Sequence, residues 1–234
     1  MRVSPTPESP GAPAPWHGLR LPLDILIAPA RAFAEIAVFP EWLFAYAIVV
    51  ASGGIALALT LPAVSHLVLT SPALLDDVGK PVSQVMADLQ TAVYIDVAQV
   101  VFAPLFAIGV TATILTVIAR NKGAETSFRV YLALASNCLM PTAIGSLLGA
   151  IAVAIHPPAS FADFRAISIA LPDNLAVFAA PNNPRETDFL SHFDIFTVWS
   201  TILLAFGFAA STPVKFATAL SVAFAITFAL ALFN

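Results

Sequence analysis

The sequence predicts an all-α membrane protein: a five-helix transmembrane bundle with an N-terminal amphipathic interfacial helix. Three observations predict it. Five apolar segments, over residues 42–61, 97–118, 131–155, 195–210 and 214–233, take up most of the chain. Of the 234 residues, 59% are hydrophobic and only 10% charged, and the mean hydropathy is +0.89. The cationic residues gather on alternate connections between the segments. A helix needs about 20 apolar residues to cross the hydrocarbon core. The first three segments reach that length and the last two reach it marginally.

Composition also excludes. A soluble domain is about 25% charged, so this chain cannot cover itself with polar surface, and the lipid bilayer is its first partner. A net charge of −4 argues against nucleic acid. The single cysteine, Cys138, allows no disulfide within the chain. Residues 1–16 hold five prolines and no apolar core of a signal peptide. Residues 1–20 therefore read as a disordered tail, and residues 21–234 as one membrane domain.

The elements follow in order. Residues 21–39 mix Leu23, Ile25, Ile27, Phe33 and Ile36 with Asp24, Arg31 and Glu35. Pro29 breaks this stretch into two short helices, and Arg31 and Glu35 share one face at i,i+4. Such a helix either lies on the inner leaflet or packs against the inner end of the bundle. Pro40, Glu41 and Trp42 turn the chain into the first span. Gly53 and Gly54 there permit a close helix neighbour, and Pro62 and His66 close the span.

Pro81 suits a first helical position, and Val82, Val85, Met86, Leu89 and Val93 recur at helical spacing. The second helix thus starts well before the membrane, which it reaches near Val97, and Pro104 should kink it. Residues 123–127 form a short loop. The third span carries Asn137, Cys138, Pro141 and the pair Gly145 and Gly149 at GxxxG spacing, a helix-packing signal that is frequent by chance.

Residues 156–191 are the longest connection. Phe161, Phe164, Ile167, Ile169, Leu175 and Phe178 would be awkward in water, so the loop should fold down as a cap on the outer face. Asn183, Pro184 and Glu186 read as a helix cap, first residue and capping partner. That helix would continue into the membrane near Asp194. Gly207 and Ser211-Thr212-Pro213 end it, and Lys215 marks the turn into the fifth span.

Orientation comes from the positive-inside rule. With the N-terminus inside, Arg2, Arg20, Arg31, Arg120, Lys122, Arg129 and Lys215 are inside, and Lys80, Arg165 and Arg185 outside. This places the chain in the cytoplasmic (inner) membrane with a cytoplasmic N-terminus and its C-terminal Phe233 and Asn234 at the outer face.

Ionisable and strongly polar groups within a membrane are candidate sites. Here they are Asp96, Asn137 and Asp194. The two aspartates read as a shared proton or cation site, or as carboxylates solvated at the interface. Asn137, beside Pro141, reads as a donor to a freed backbone carbonyl or to a neighbouring helix. The helix-packing residues are Gly53, Gly54, Gly145, Gly149 and Gly207. His66, His156 and His192 share the outer side but not metal-ligand spacing, and HExxH, GxSxG and P-loop patterns are absent. No catalytic residue, metal or cofactor is expected.

Asp194, Phe196 and Trp199, followed by the aliphatic run that ends at Gly207, resemble the penultimate span of the bacterial Yip family. The run from Gly123 through Tyr131 to Pro141 is similar to the family's third helix. The stretches Pro29–Phe33 and Pro40–Trp42 fit its amphipathic start. The resemblance covers about residues 22–230. It implies a five-helix bundle with a cytosolic N-terminus. In the related eukaryotic proteins it implies trafficking through Rab-type GTPases. The acidic sequence tied to GTPase contact does not show in residues 1–20, where Glu8 is the one acidic residue.

The function expected is that of a non-enzymatic Yip-type scaffold or assembly partner, working with a membrane-protein partner or as a homo-oligomer. Two alternatives stand: a small-solute or ion permease using Asp96, Asn137 and Asp194, and an accessory subunit of a larger membrane complex.

Overall fold

The computed structural model describes residues 17–70, 82–179 and 184–232. The N-terminal tail over residues 1–16, Pro81, the Asn183 cap and the end at Phe233 and Asn234 lie outside the described residues. Among the described residues the fold is all-helical, with no strand.

The chain opens with α1 (His17–Ile27) and α2 (Pro29–Val38), separated at Ala28. Pro29 takes the first position of α2, where a missing N–H costs nothing. The apolar face of this hairpin is spent on the core: Leu21, Ile25, Ala32, Phe33 and Ile36 are buried with Tyr131, Leu134 and Phe208. Leu23, Ile27 and Val38 stay exposed on its other side. Asp24 is buried and holds the hairpin shut, 3.0 Å from Arg20 and 2.8 Å from Arg31.

α3 (Leu43–Thr70) has 28 residues, about 42 Å at 1.5 Å per residue. It does not stop at Pro62, as the sequence led us to expect, but continues two turns further. Proline is tolerated inside membrane helices, where neighbouring groups satisfy the freed carbonyl. α4 (Val82–Asn121) runs 40 residues through Pro104 without a break. Its end is closed by Gly123 at φ 77, with the Ala124 amide reaching back to the Ala119 carbonyl at 3.0 Å. That left-handed conformation is the one glycine adopts without strain.

The third apolar segment is not one helix. It divides into α5 (Phe128–Asn137) and α6 (Met140–Ala154), interrupted by a turn at Cys138 and Leu139. Pro141 lacks the N–H that would continue the ladder. Next to the break, Ser136 donates to the Trp42 carbonyl at 2.9 Å. Asn137 donates to the carbonyls of Glu41 and Ala133, both at 2.9 Å.

The long loop forms α7 (Phe164–Ser168), α8 (Pro184–Ser191) and two short 3-10 turns, Pro158–Ser160 and Leu175–Phe178. Phe161 packs on Ala63 of α3 and Val153 of α6, which lays the loop over one end of the bundle. α9 (Ile195–Ala210) and α10 (Phe216–Leu232) complete the fold. The expected continuous helix through Asp194 is instead two, because Asp194 is extended and caps α9. Thr126 donates to the Ser211 carbonyl at 3.0 Å, so the α4–α5 and α9–α10 turns meet at the end opposite the loop.

α3, α4 and the combined α5–α6 segment are long and apolar enough to cross a membrane. α9 and α10 are apolar but shorter, at 16 and 17 residues.

Candidate functional site

A cavity of about 520 Å³ opens between α3, α4, α6, α9 and α10 beneath the loop. Its loop end is acidic. Asp194 reaches it while capping α9: one carboxylate oxygen accepts from the Phe196 and Thr197 amides at 2.7 and 2.8 Å, the other from the Thr197 hydroxyl at 2.8 Å. A carboxylate at this position answers the unpaired amides and the positive end of the helix.

Asp173 stands beside it. The Ile195 amide donates to the Asp173 carbonyl at 3.3 Å, and Asn174 forms an isolated bridge with Asp194, so the loop is fastened to the start of α9. Burial first, and then the neighbouring Asp194 charge, push the Asp173 carboxyl above the usual carboxylate range. Hydrogen bonds from its own backbone and from Asn174, whose amide is 3.3 Å away, pull the other way.

Deeper down the walls are apolar, with Ile108, Leu139, Leu204 and Ile226 interspersed with hydroxyls. Most of these hydroxyls are occupied. Thr142 bonds the Leu139 carbonyl at 2.6 Å, and Thr201 and Thr227 join α9 to α10 at 2.9 Å. Ser200 differs: it is 8% exposed, lines the cavity, and its Oγ has no hydrogen-bond partner among the described residues.

The structure does not bring Asp96, Asn137 and Asp194 together. Asp194 lines the cavity, while Asp96 sits half-buried on α4 and is not among the lining residues. Asn137 is fully buried toward the opposite end, against the start of α3.

The glycines divide as well. A Cβ on Gly207 would collide with Leu134 and Phe33, one on Gly145 would lie 2.6 Å from Phe196, and one on Gly53 would lie 3.2 Å from Val100. Gly54 and Gly149 would meet nothing within 4 Å, so no close helix contact in this fold requires them. Gly149 faces the cavity. Phe196 fills the space that Gly145 leaves, and Trp199 is part-exposed on the same helix.

His156 bonds the Ala152 carbonyl at 2.7 Å and stacks edge-on to Phe161, whereas His192 lines the cavity. Among the described residues no three His, Cys, Asp or Glu side chains are grouped to hold a metal.

Sequence reasoning missed Asp173, Ser200 and the ion pairs of Asp24. The i,i+4 spacing of Arg20 and Asp24 was a readable signal. Asp173 and Ser200 carried none, because only the folded loop sets one above the other.

Long apolar helices packed around a small buried core, with a ligand-sized cavity under a folded loop, define a helical membrane protein. The chain belongs to the Yip family: the sequence model of the Yip1 domain matches residues 23–233. No curated protein and no solved structure gives a significant match to it.

Proposed function

We propose that the chain is a non-enzymatic membrane scaffold that docks a second membrane protein along α3. The observation that supports this is a row of small residues. Ala47, Ala51, Gly54 and Ala58 fall on one face of α3, and all four are exposed. In its most apolar 18-residue stretch only 11% of α3 is buried, against 39% for the same length of α5–α6. In lipid, small residues let another helix approach backbone to backbone.

In this reading α9 and α10 are the fourth and fifth crossings, and the N-terminus is cytoplasmic in the inner membrane. Support comes from Arg20, Arg31, Arg120, Lys122, Arg129 and Lys215, which lie on the helices and turns at the end opposite the loop. The exposed Leu23, Ile27 and Val38 beside Arg20 and Arg31 suit contact with the inner leaflet.

The test is a photo-crosslinker at Ala51, compared with one at the exposed Phe102 of α4, in native membranes. A discrete adduct from Ala51 alone, lost when Gly54→Leu is added, supports docking on this face. Its mass separates a second copy from a different partner or larger complex. Equal or absent labelling from the two positions rejects the reading.

The cavity favours a second reading, a permease, carried by Asp194 without Asp96. Loss of a solute flux in Asp194→Asn at unchanged protein level would move the assignment there.

A further inference from the structure

We propose that the cavity binds a linear amphiphilic amine, its ammonium held between Asp173 and Asp194 and a hydrogen-bonding oxygen on its hydrocarbon body meeting Ser200. Four observations carry this. The first is size: about 520 Å³ lies within the range of about 300–1,000 Å³ that small-molecule sites occupy. The second is charge. Asp173 and Asp194 are close enough to repel, and among the described residues that line the cavity there is no lysine or arginine, His192 being the one basic side chain. An anionic head group would add a third negative charge, and a neutral one would leave the repulsion in place. An ammonium brings three donors, and the side-chain partner that Asp173 now has is Asn174 at 3.3 Å.

The third observation is the wall below, where Ile108, Leu139, Leu204 and Ile226 suit hydrocarbon. The fourth is Ser200, whose hydroxyl is buried at the wall without a partner among the described residues. A buried polar group of this kind costs about 1–3 kcal/mol unless something answers it. Ser200 lies six residues beyond Asp194 on α9, which places it about 9 Å deeper. The ligand is therefore polar at its head, apolar along its body and polar again about two turns of helix further in. Both a phosphate-free lipid with an amine head and a free long-chain amino alcohol have this chemistry.

The experiment uses the full chain in discs of phosphatidylcholine, whose head group has no primary amine. Octylammonium, ω-aminooctanol and octanol are titrated by calorimetry. ω-Aminooctanol should bind most tightly and octanol least. Asp173→Asn should weaken both amines about tenfold or more, the worth of a charge-assisted hydrogen bond. Ser200→Ala should bring ω-aminooctanol down to octylammonium. Gly149→Leu fills the cavity where a Cβ meets no other atom, so it should fold like wild type and bind neither amine.

Mass spectrometry of protein extracted from its own membrane identifies the source. An amine-headed lipid carried by wild type and missing from Gly149→Leu assigns the occupant to the bilayer. Saturable binding of ω-aminooctanol with no carried lipid assigns it to a free amine. Octanol binding as well as octylammonium, undiminished binding in Asp173→Asn or in folded Gly149→Leu, or no binding in either assay overturns the proposal. None of these outcomes bears on crosslinking at Ala51.

Discussion

Asn137 donates a hydrogen bond of 2.9 Å to the carbonyl of Glu41, across 96 residues of sequence. The bond joins the break between α5 and α6 to the turn that leads into α3. Ser136 repeats the tie one residue along, to Trp42. The polar side chains next to a proline-broken helix thus satisfy the carbonyls of a second irregular segment, as backbone in a low-dielectric interior requires. Asn137→Leu should lower stability by about 1–3 kcal/mol, read as a lower unfolding midpoint in detergent. An unchanged midpoint would mean that water or lipid can replace the bond.

Asp24 is the buried partner of two arginines whose side chains are 65% and 55% exposed. Either arginine alone can neutralise it. Arg20→Ala and Arg31→Ala should each cost less than about 1 kcal/mol, the usual worth of a solvent-facing pair. The double variant leaves a buried charge uncompensated and should cost about 3 kcal/mol or more. Unfolding of the two single variants and the double variant checks this, and strict additivity would contradict it.

The glycines give a graded series. Gly207→Ala sets a methyl against Leu134 and Phe33, and Gly145→Ala sets one against the ring of Phe196. Each should destabilise by about 1–3 kcal/mol through overpacking. Gly54→Ala has open space and should be neutral or stabilising by up to about 1 kcal/mol, since alanine is the better helix former. Melting temperatures of the three purified variants should rise from Gly207→Ala through Gly145→Ala to Gly54→Ala.

Asp194 combines a cap with a charge, and substitution separates them. Asp194→Ala removes the side-chain acceptors of the Phe196 and Thr197 amides and should cost about 0.5–2 kcal/mol. Asp194→Asn keeps a good capping oxygen and should unfold near wild type. Hydrogen exchange at the Phe196 and Thr197 amides, which now bond to Asp194, would report the loss locally.

Asp173 should make stability pH-dependent. Its carboxyl is raised by burial and by Asp194, so the folded protein holds this proton more firmly than the unfolded chain. The stability it contributes is fully present below the unfolded pKa, ordinarily about 4 for an aspartate. It is lost as pH rises through the higher, folded value. Asp173→Asn should flatten that segment of the curve of melting temperature against pH and leave the rest unchanged. A curve that keeps its wild-type slope would assign the dependence to another group.

The sequence by itself determined that this is a helical membrane protein of the Yip family. Span length, hydropathy and motifs such as Asp194 through Gly207 are properties of neighbouring residues, and lipid as solvent leaves the backbone few choices but helix. Helix starts at Pro29 and near Val82 were legible for the same reason, since each depends on local stereochemistry. The tertiary structure decided everything that depends on what lies opposite. It let α3 run past Pro62 and tied the break at Cys138 to the start of α3. It also turned Asp194 from mid-helix into a cap. Gly207 and Gly149 look alike in sequence, yet one faces Phe33 and Leu134 and the other an open cavity. Asp173 and Ser200 meet at one site only because the loop bonds back to the start of α9. Such contacts join residues far apart in the chain, and periodicity holds no record of them.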